Sequence, residues 1–142
     1  MRTSLAAAAM VVGVTASGLA ALPGPAFAAT SHDCTDADVG GTMCYYYRSN
    51  YGGARAGISV EVSDLYTWVF AYNSDGNGKP VANDAGSGRN DSQHCTAVTW
   101  EHVGGPAGGG AHLSLAPYGG KSATLGALNN NNRSLYWTGC VW

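Results

Sequence analysis

A Tyr-Gly-Gly tripeptide occurs twice in this 142-residue chain, at Tyr51-Gly52-Gly53 and at Tyr118-Gly119-Gly120. Strand-like residues precede each copy, Tyr46-Tyr47-Arg48-Ser49-Asn50 in the first and Leu113-Ser114-Leu115-Ala116-Pro117 in the second. An Asn/Asp-rich cluster follows downstream of each, Asn90-Asp91-Ser92-Gln93-His94 and Asn130-Asn131-Asn132-Arg133-Ser134. Paired glycines after an aromatic residue suit a tightly folded hairpin, because glycine enters positive φ without a Cβ clash. Recurrence of the turn together with its cluster predicts an internal repeat of one all-β unit.

Period-two alternation supports the same class. Ile58, Val60 and Val62 alternate with Ser59, Glu61 and Ser63, and Trp68, Phe70 and Tyr72 with Val69 and Ala71. Val98, Trp100 and His102 alternate with Thr99 and Glu101, and Leu113 and Leu115 flank Ser114. These runs predict strands. Aromatic strand formers at Tyr45 to Tyr47 and Leu135 to Trp137 extend the pattern to head and tail. Two stretches break the rhythm. Asn73 to Asp91 has almost no large apolar side chain and is expected as a long loop. Gly104 to Gly110 is expected as a flexible link between the halves.

Residues 1–28 read as a removable export signal. Arg2 supplies the positive end, Leu5 to Leu22 is almost wholly apolar and small, and Ala26-Phe27-Ala28 fits an A-x-A cleavage site. The remaining 29–142 is expected to be secreted as one small domain, with a first unit over about 34–103 and a second over about 111–142. No later stretch approaches the roughly 20 apolar residues of a membrane-spanning helix. Seven Lys/Arg against nine Asp/Glu give a net charge of −2, and loss of Arg2 makes it one unit more negative. A balance so mild, without a basic run, points away from nucleic acid and anionic membranes as partners. His32, His94, His102 and His112 are scattered, and no nucleophile elbow, zincin helix or phosphate loop occurs, so no enzyme is expected.

Four cysteines, Cys34, Cys44, Cys95 and Cys140, in an exported domain read as two disulfides. Three pairings are open. Cys34–Cys44 would close a short loop over Asp36, Asp38, Gly40 and Gly41, and Cys95–Cys140 would then tie the end of one repeat to the end of the other. That pairing is the expectation.

The segments Cys44-Tyr45-Tyr46-Tyr47-Arg48-Ser49-Asn50-Tyr51-Gly52-Gly53 and Leu128-Asn129-Asn130-Asn131-Asn132-Arg133-Ser134 resemble the βγ-crystallin superfamily. The resemblance is to its small secreted actinobacterial members grouped with peptidase inhibitors, of the metalloproteinase-inhibitor-like kind, and it runs from Cys34 to Trp137. It implies an all-β, disulfide-linked, βγ-crystallin-like Greek-key sandwich of two units. In the family signature an aromatic residue seven positions before a glycine covers the folded hairpin, and a later serine bonds back to it. Tyr46 and Gly53 match in the first unit. Gly120 and Ser134 match in the second, where Leu113 stands in the aromatic position.

The resemblance also implies a function, the blocking of an extracellular protease. It identifies no inhibitory loop. The bond singled out is Arg89-Asn90 in the long loop, where Gly86 and Gly88 argue against rigidity. The alternative is a non-catalytic structural or binding module of the same fold. Calcium is the one cofactor implied, through a motif of two Asn/Asp, two variable residues, then Ser/Thr and Ser. Asn90, Asp91, Asn130, Asn131 and Ser134 are the matching donors, with His94 where a hydroxyl belongs. Asp91 is the single carboxylate among them, so calcium binding is expected to be weak. Asn90-Asp91-Ser92 and Asn132-Arg133-Ser134 are also formal N-glycosylation sequons.

Overall fold

Strand β1 (Met43–Tyr46) is buried along its whole length, on both faces. Met43 and Tyr45 enter the main core, while Cys44 and Tyr46 turn to the outer face and are covered by Cys34 and Tyr51. The structure, a computed structural model, describes Cys34 and residues 41–72 and 74–142. The expected export signal over 1–28 lies outside the described residues.

β1 pairs antiparallel with β2 (Arg55–Ile58) and with β3 (Ser87–Asn90), and β6 (Gly120–Ser122) completes a sheet ordered β2-β1-β3-β6. The second sheet has β4 (Thr96–Trp100) between β5 (His112–Leu115) and β7 (Ser134–Thr138). Val62 adds a bridge to its edge, exchanging both 2.9 Å backbone bonds with Leu135. Each unit therefore lends one segment to the other's sheet: β6 goes to the first and Val62 to the second. The result is an all-β sandwich of two interlocked Greek-key units. Their inner faces meet over Met43, Tyr45, Ile58, Phe70, Leu125 and Leu135, and the Tyr45 hydroxyl reaches Thr99 on the opposite sheet at 2.7 Å.

Two serines close the folded hairpins that follow β1 and β4. Ser87 donates to the Arg48 carbonyl at 2.6 Å and accepts from the Tyr51 amide at 2.9 Å. Ser134 donates to the His102 carbonyl at 2.7 Å and accepts from the Gly105 amide at 3.0 Å. Both hairpins turn on consecutive residues with positive φ, Asn50 and Tyr51 at 56° and 62°, Gly104 and Gly105 at 83° and 57°. Matching the serine partners aligns Tyr46 with Trp100. The second folded hairpin is thus the Gly104 to Gly110 stretch expected as a linker, and its aromatic cover is Trp100, not Leu113. Gly120 instead opens β6, after a turn in which Tyr118 and Gly119 both take positive φ. The strand order likewise places the join between units at residues 91–95, between β3 and β4, rather than at 103–111.

From Ser74 to Asp91 the stretch expected as a long loop is equally structured. Its tip folds against the first hairpin through Ala54 N–H to Asp75 O at 2.7 Å and the Arg48–Asp75 ion pair. Its end is β3, a central strand built from Ser-Gly-Arg-Asn. Small residues are required there: a Cβ on Gly88 would meet Met43 Cε at 2.6 Å. Close packing, not strand propensity, makes this segment a strand.

Candidate functional site

The Asn-rich clusters expected to form a shared cation site do not meet. Asn90 ends β3, and its amide is consumed by the carbonyls of Cys95, Leu115 and Ala116 at 2.9, 2.8 and 3.1 Å. Asp91 pairs with Arg89, whose Nε lies 2.7 Å from Oδ1 and whose terminal nitrogen lies 2.7 Å from Oδ2. The turn at 130–134 docks at the other end of β3, where the Asn130 amide donates to the Ala85 carbonyl at 3.1 Å. Five residue steps of extended chain separate Ala85 from Asn90, roughly 16 Å at ~3.3 Å per residue. The partner of Asn130–Ser134 is instead Asn83-Asp84-Ala85-Gly86-Ser87.

These two turns are related by reciprocity. Asn83 N–H donates to the Asn132 carbonyl at 2.8 Å, and Asn83 and Asn130 both adopt positive φ, 60° and 56°. The Asn-Asp-x-x-Ser signal at 83–87 stood in the sequence, masked by the reading of that region as a loop. The five residues named for calcium fit no calcium site. Asn90 and Asp91 lie at the wrong end of β3, the Ser134 hydroxyl is used on both sides, and Asn131 donates to the Glu101 carboxylate at 2.7 Å. Glu101 also accepts from the Ala111 amide at 2.9 Å, and these two bonds, the backbone one foremost, hold its pKa below the usual range. Among the described residues no group of three or more His, Cys, Asp or Glu could hold a metal ion.

The join between units, residues 91–95, has the character of a presented loop. Cys95 is bridged to Cys140 and Cys34 to Cys44. Ser92 accepts from the amides of Cys95 and His94 at 3.0 and 3.2 Å, and its own amide donates to Asn90 Oδ1 at 3.0 Å. Asp91 N–H donates to the Thr42 carbonyl at 2.8 Å, and Tyr118 N–H to the Ser92 carbonyl at 2.7 Å. Val141 N–H donates to the His94 carbonyl at 3.1 Å, and the Trp142 ring stacks on the His94 imidazole at 5.2 Å. Gln93 is exposed at the crest. Among the described residues the three most exposed large hydrophobic side chains, Trp142 at 90%, Tyr118 at 76% and Val141 at 68%, all belong to segments bonded to this loop. Sequence reasoning read these residues as a cation-binding cluster and not as a presented loop. Arg89-Asn90, the bond it did single out, lies in β3 with Asn90 fully buried.

No protein-family model matches the chain, and no curated protein matches it. Among solved structures it is similar to a βγ-crystallin from an Archaea, at 15% identity and a TM-score of 0.48 over 69% of this chain and 98% of that one. The βγ-crystallin-like fold rests on the strand order and the two serine-closed hairpins, independently of that likeness.

Proposed function

We propose that this chain is a secreted, non-catalytic binding protein that engages an extracellular protease through residues 91–95. The observation that carries the reading is the coincidence of bracing and exposure. The loop is fixed by a disulfide and a dense set of hydrogen bonds, and the most exposed aromatic side chains among the described residues belong to segments bonded to it. A loop ordered before binding loses little entropy on association. Tyrosine and tryptophan, with two side-chain torsions each, supply large contact area at similarly low cost and dominate interface hot spots. The export pattern of 1–28 and the two disulfides support an oxidising, extracellular setting. The test is inhibition of a panel of zinc and serine endopeptidases by the oxidised protein. Inhibition of at least one class is expected. Failure against every member would leave a binding or structural module of βγ-crystallin type with no inhibitory role.

A further inference from the structure

Arg89 connects the junction loop to the first disulfide. It stands in the central strand β3 directly opposite Cys44 of β1, so its side chain crosses the outer face of the first sheet beside the Cys34–Cys44 bridge. Residues two apart on extended chain share a face, which brings Asp91, the first residue of the 91–95 loop, to the same side. One guanidinium holds two groups there. Its terminal nitrogen donates to the Cys34 carbonyl at 2.8 Å and to Asp91 Oδ2 at 2.7 Å, while Nε lies 2.7 Å from Oδ1. Cys44 adjoins the same carboxylate, its Sγ 3.5 Å from Oδ2. The Asp91 amide donates in turn to the carbonyl of Thr42, two residues before Cys44, at 2.8 Å.

This arrangement differs from an ordinary surface ion pair in two ways. The planar guanidinium faces both carboxylate oxygens, which fixes the rotation of the Asp91 side chain as well as neutralising it. The Asp91 side chain is also only 16% exposed, so solvent and salt screen the pair weakly. Cys34 and Cys44 are buried as well. A bridge so enclosed is a fixed strut rather than a redox switch. Its hold on the loop passes through Arg89, because the Cys34 carbonyl and Asp91 share that guanidinium.

We infer that Arg89 is a positioning residue that couples the Cys34–Cys44 bridge to the 91–95 loop, an inference that rests on the reading of that loop as the binding segment. The loop then has a disulfide brace at each end. Cys95–Cys140 fixes its last residue directly, and Cys34–Cys44 fixes its first through Arg89 and Asp91. Arg89 acts on binding through the order of the loop, so its removal costs preorganisation.

The experiment follows hydrogen–deuterium exchange by NMR at the amides of Asp91, Ser92, His94 and Cys95. Four oxidised proteins are compared: the wild type, Arg89→Met, Cys34→Ala/Cys44→Ala, and the three substitutions combined. Methionine keeps an apolar stem and removes every donor. Amides of β4 and β7 report opening of the whole fold. Arg89→Met is expected to speed exchange in the loop at least about 10-fold, the scale of a lost hydrogen bond to a charged group, and to leave β4 and β7 within about 2-fold. Removing the bridge is expected to speed the loop by a similar factor when Arg89 is present, and by no more than about 2-fold when it is absent, the non-additivity of residues in one network. Equal acceleration by bridge removal in both backgrounds overturns the coupling. So does an effect of Arg89→Met shared equally by β4 and β7. Should the protein without the bridge fail to fold, Arg89→Met decides alone, and unchanged exchange in its loop overturns the inference. No protease enters the measurement, so its failure leaves the inhibitory reading standing, and a wild type that inhibits nothing overturns only that reading.

Discussion

Two buried hydroxyls hold the strained part of this molecule. Ser87 and Ser134 each accept from an amide in a positive-φ residue and donate to the carbonyl three residues earlier. Ser134→Ala would leave the Gly105 amide and the His102 carbonyl without that partner, one of them fully buried with its residue. A loss of about 1–3 kcal/mol is expected by urea denaturation, the cost of a stranded buried polar group. A loss below about 0.5 kcal/mol would mean that the hairpin does not depend on this bond. Tyr45 allows a second prediction. Burial, only partly offset by its bond to Thr99, raises the phenol pKa well above its ordinary value near 10. A folded-state pKa above the unfolded one means that the contribution is complete below about pH 10 and is lost as pH rises past it. Stability should fall on alkaline titration, and Tyr45→Phe should flatten that fall while losing the bond to Thr99. An identical alkaline profile in the variant would count against it.

At the scale of elements, the parts legible in the sequence were those with aromatic or alternating patterns. β1, β4, β5 and β7 follow from Tyr45, Val98, Leu113 and Leu135 and their neighbours. β3 did not, because its glycines serve close approach and its serine and asparagine are buried for their hydrogen bonds, a pattern that reads as loop. Once β3 was missed, Asn83–Ser87 lost its context and the repeat was aligned on the wrong Tyr-Gly-Gly turn. Tyr46, Gly53 and Ser134 were recognisable through the resemblance to the family signature. Trp100 was not, since glycine insertions lengthen its hairpin. The true turn pair bears on calcium. Asp84 is the carboxylate within one turn, Glu101 adjoins the other, and both closing hydroxyls are already bonded. At 1 mM calcium the gain in stability should stay below about 1.5 kcal/mol, the mass-action value for a Kd of roughly 10⁻⁴ M. A micromolar site found by calorimetry would contradict that.

The disulfides act on different elements. Cys95–Cys140 spans 45 residues and ties the start of β4 to the end of β7, whereas Cys34–Cys44 spans 10. Chain entropy assigns about 4 kcal/mol to the first and about 3 kcal/mol to the second. Removing Cys95 and Cys140 together should therefore cost more in urea midpoint than removing Cys34 and Cys44. The reverse order would show that native contacts, not the unfolded chain, set the difference.

The described residues form a two-sheet body with their most exposed aromatic groups at the junction of its two units. Interlocking through β6 and Val62 makes each unit depend on the other, so the junction loop is anchored from both sheets. Both sequon asparagines, Asn90 and Asn132, are sealed by this packing, which leaves the folded surface free of glycan at those positions. The inhibition constant of the Tyr118→Ala/Trp142→Ala double variant, set against that of the wild type, tests the central claim most directly. Both side chains are exposed, so the fold should be unaffected. The account predicts a wild-type inhibitor of an extracellular endopeptidase and a weakening of at least about 30-fold in the variant. Equal inhibition by the two proteins would contradict it.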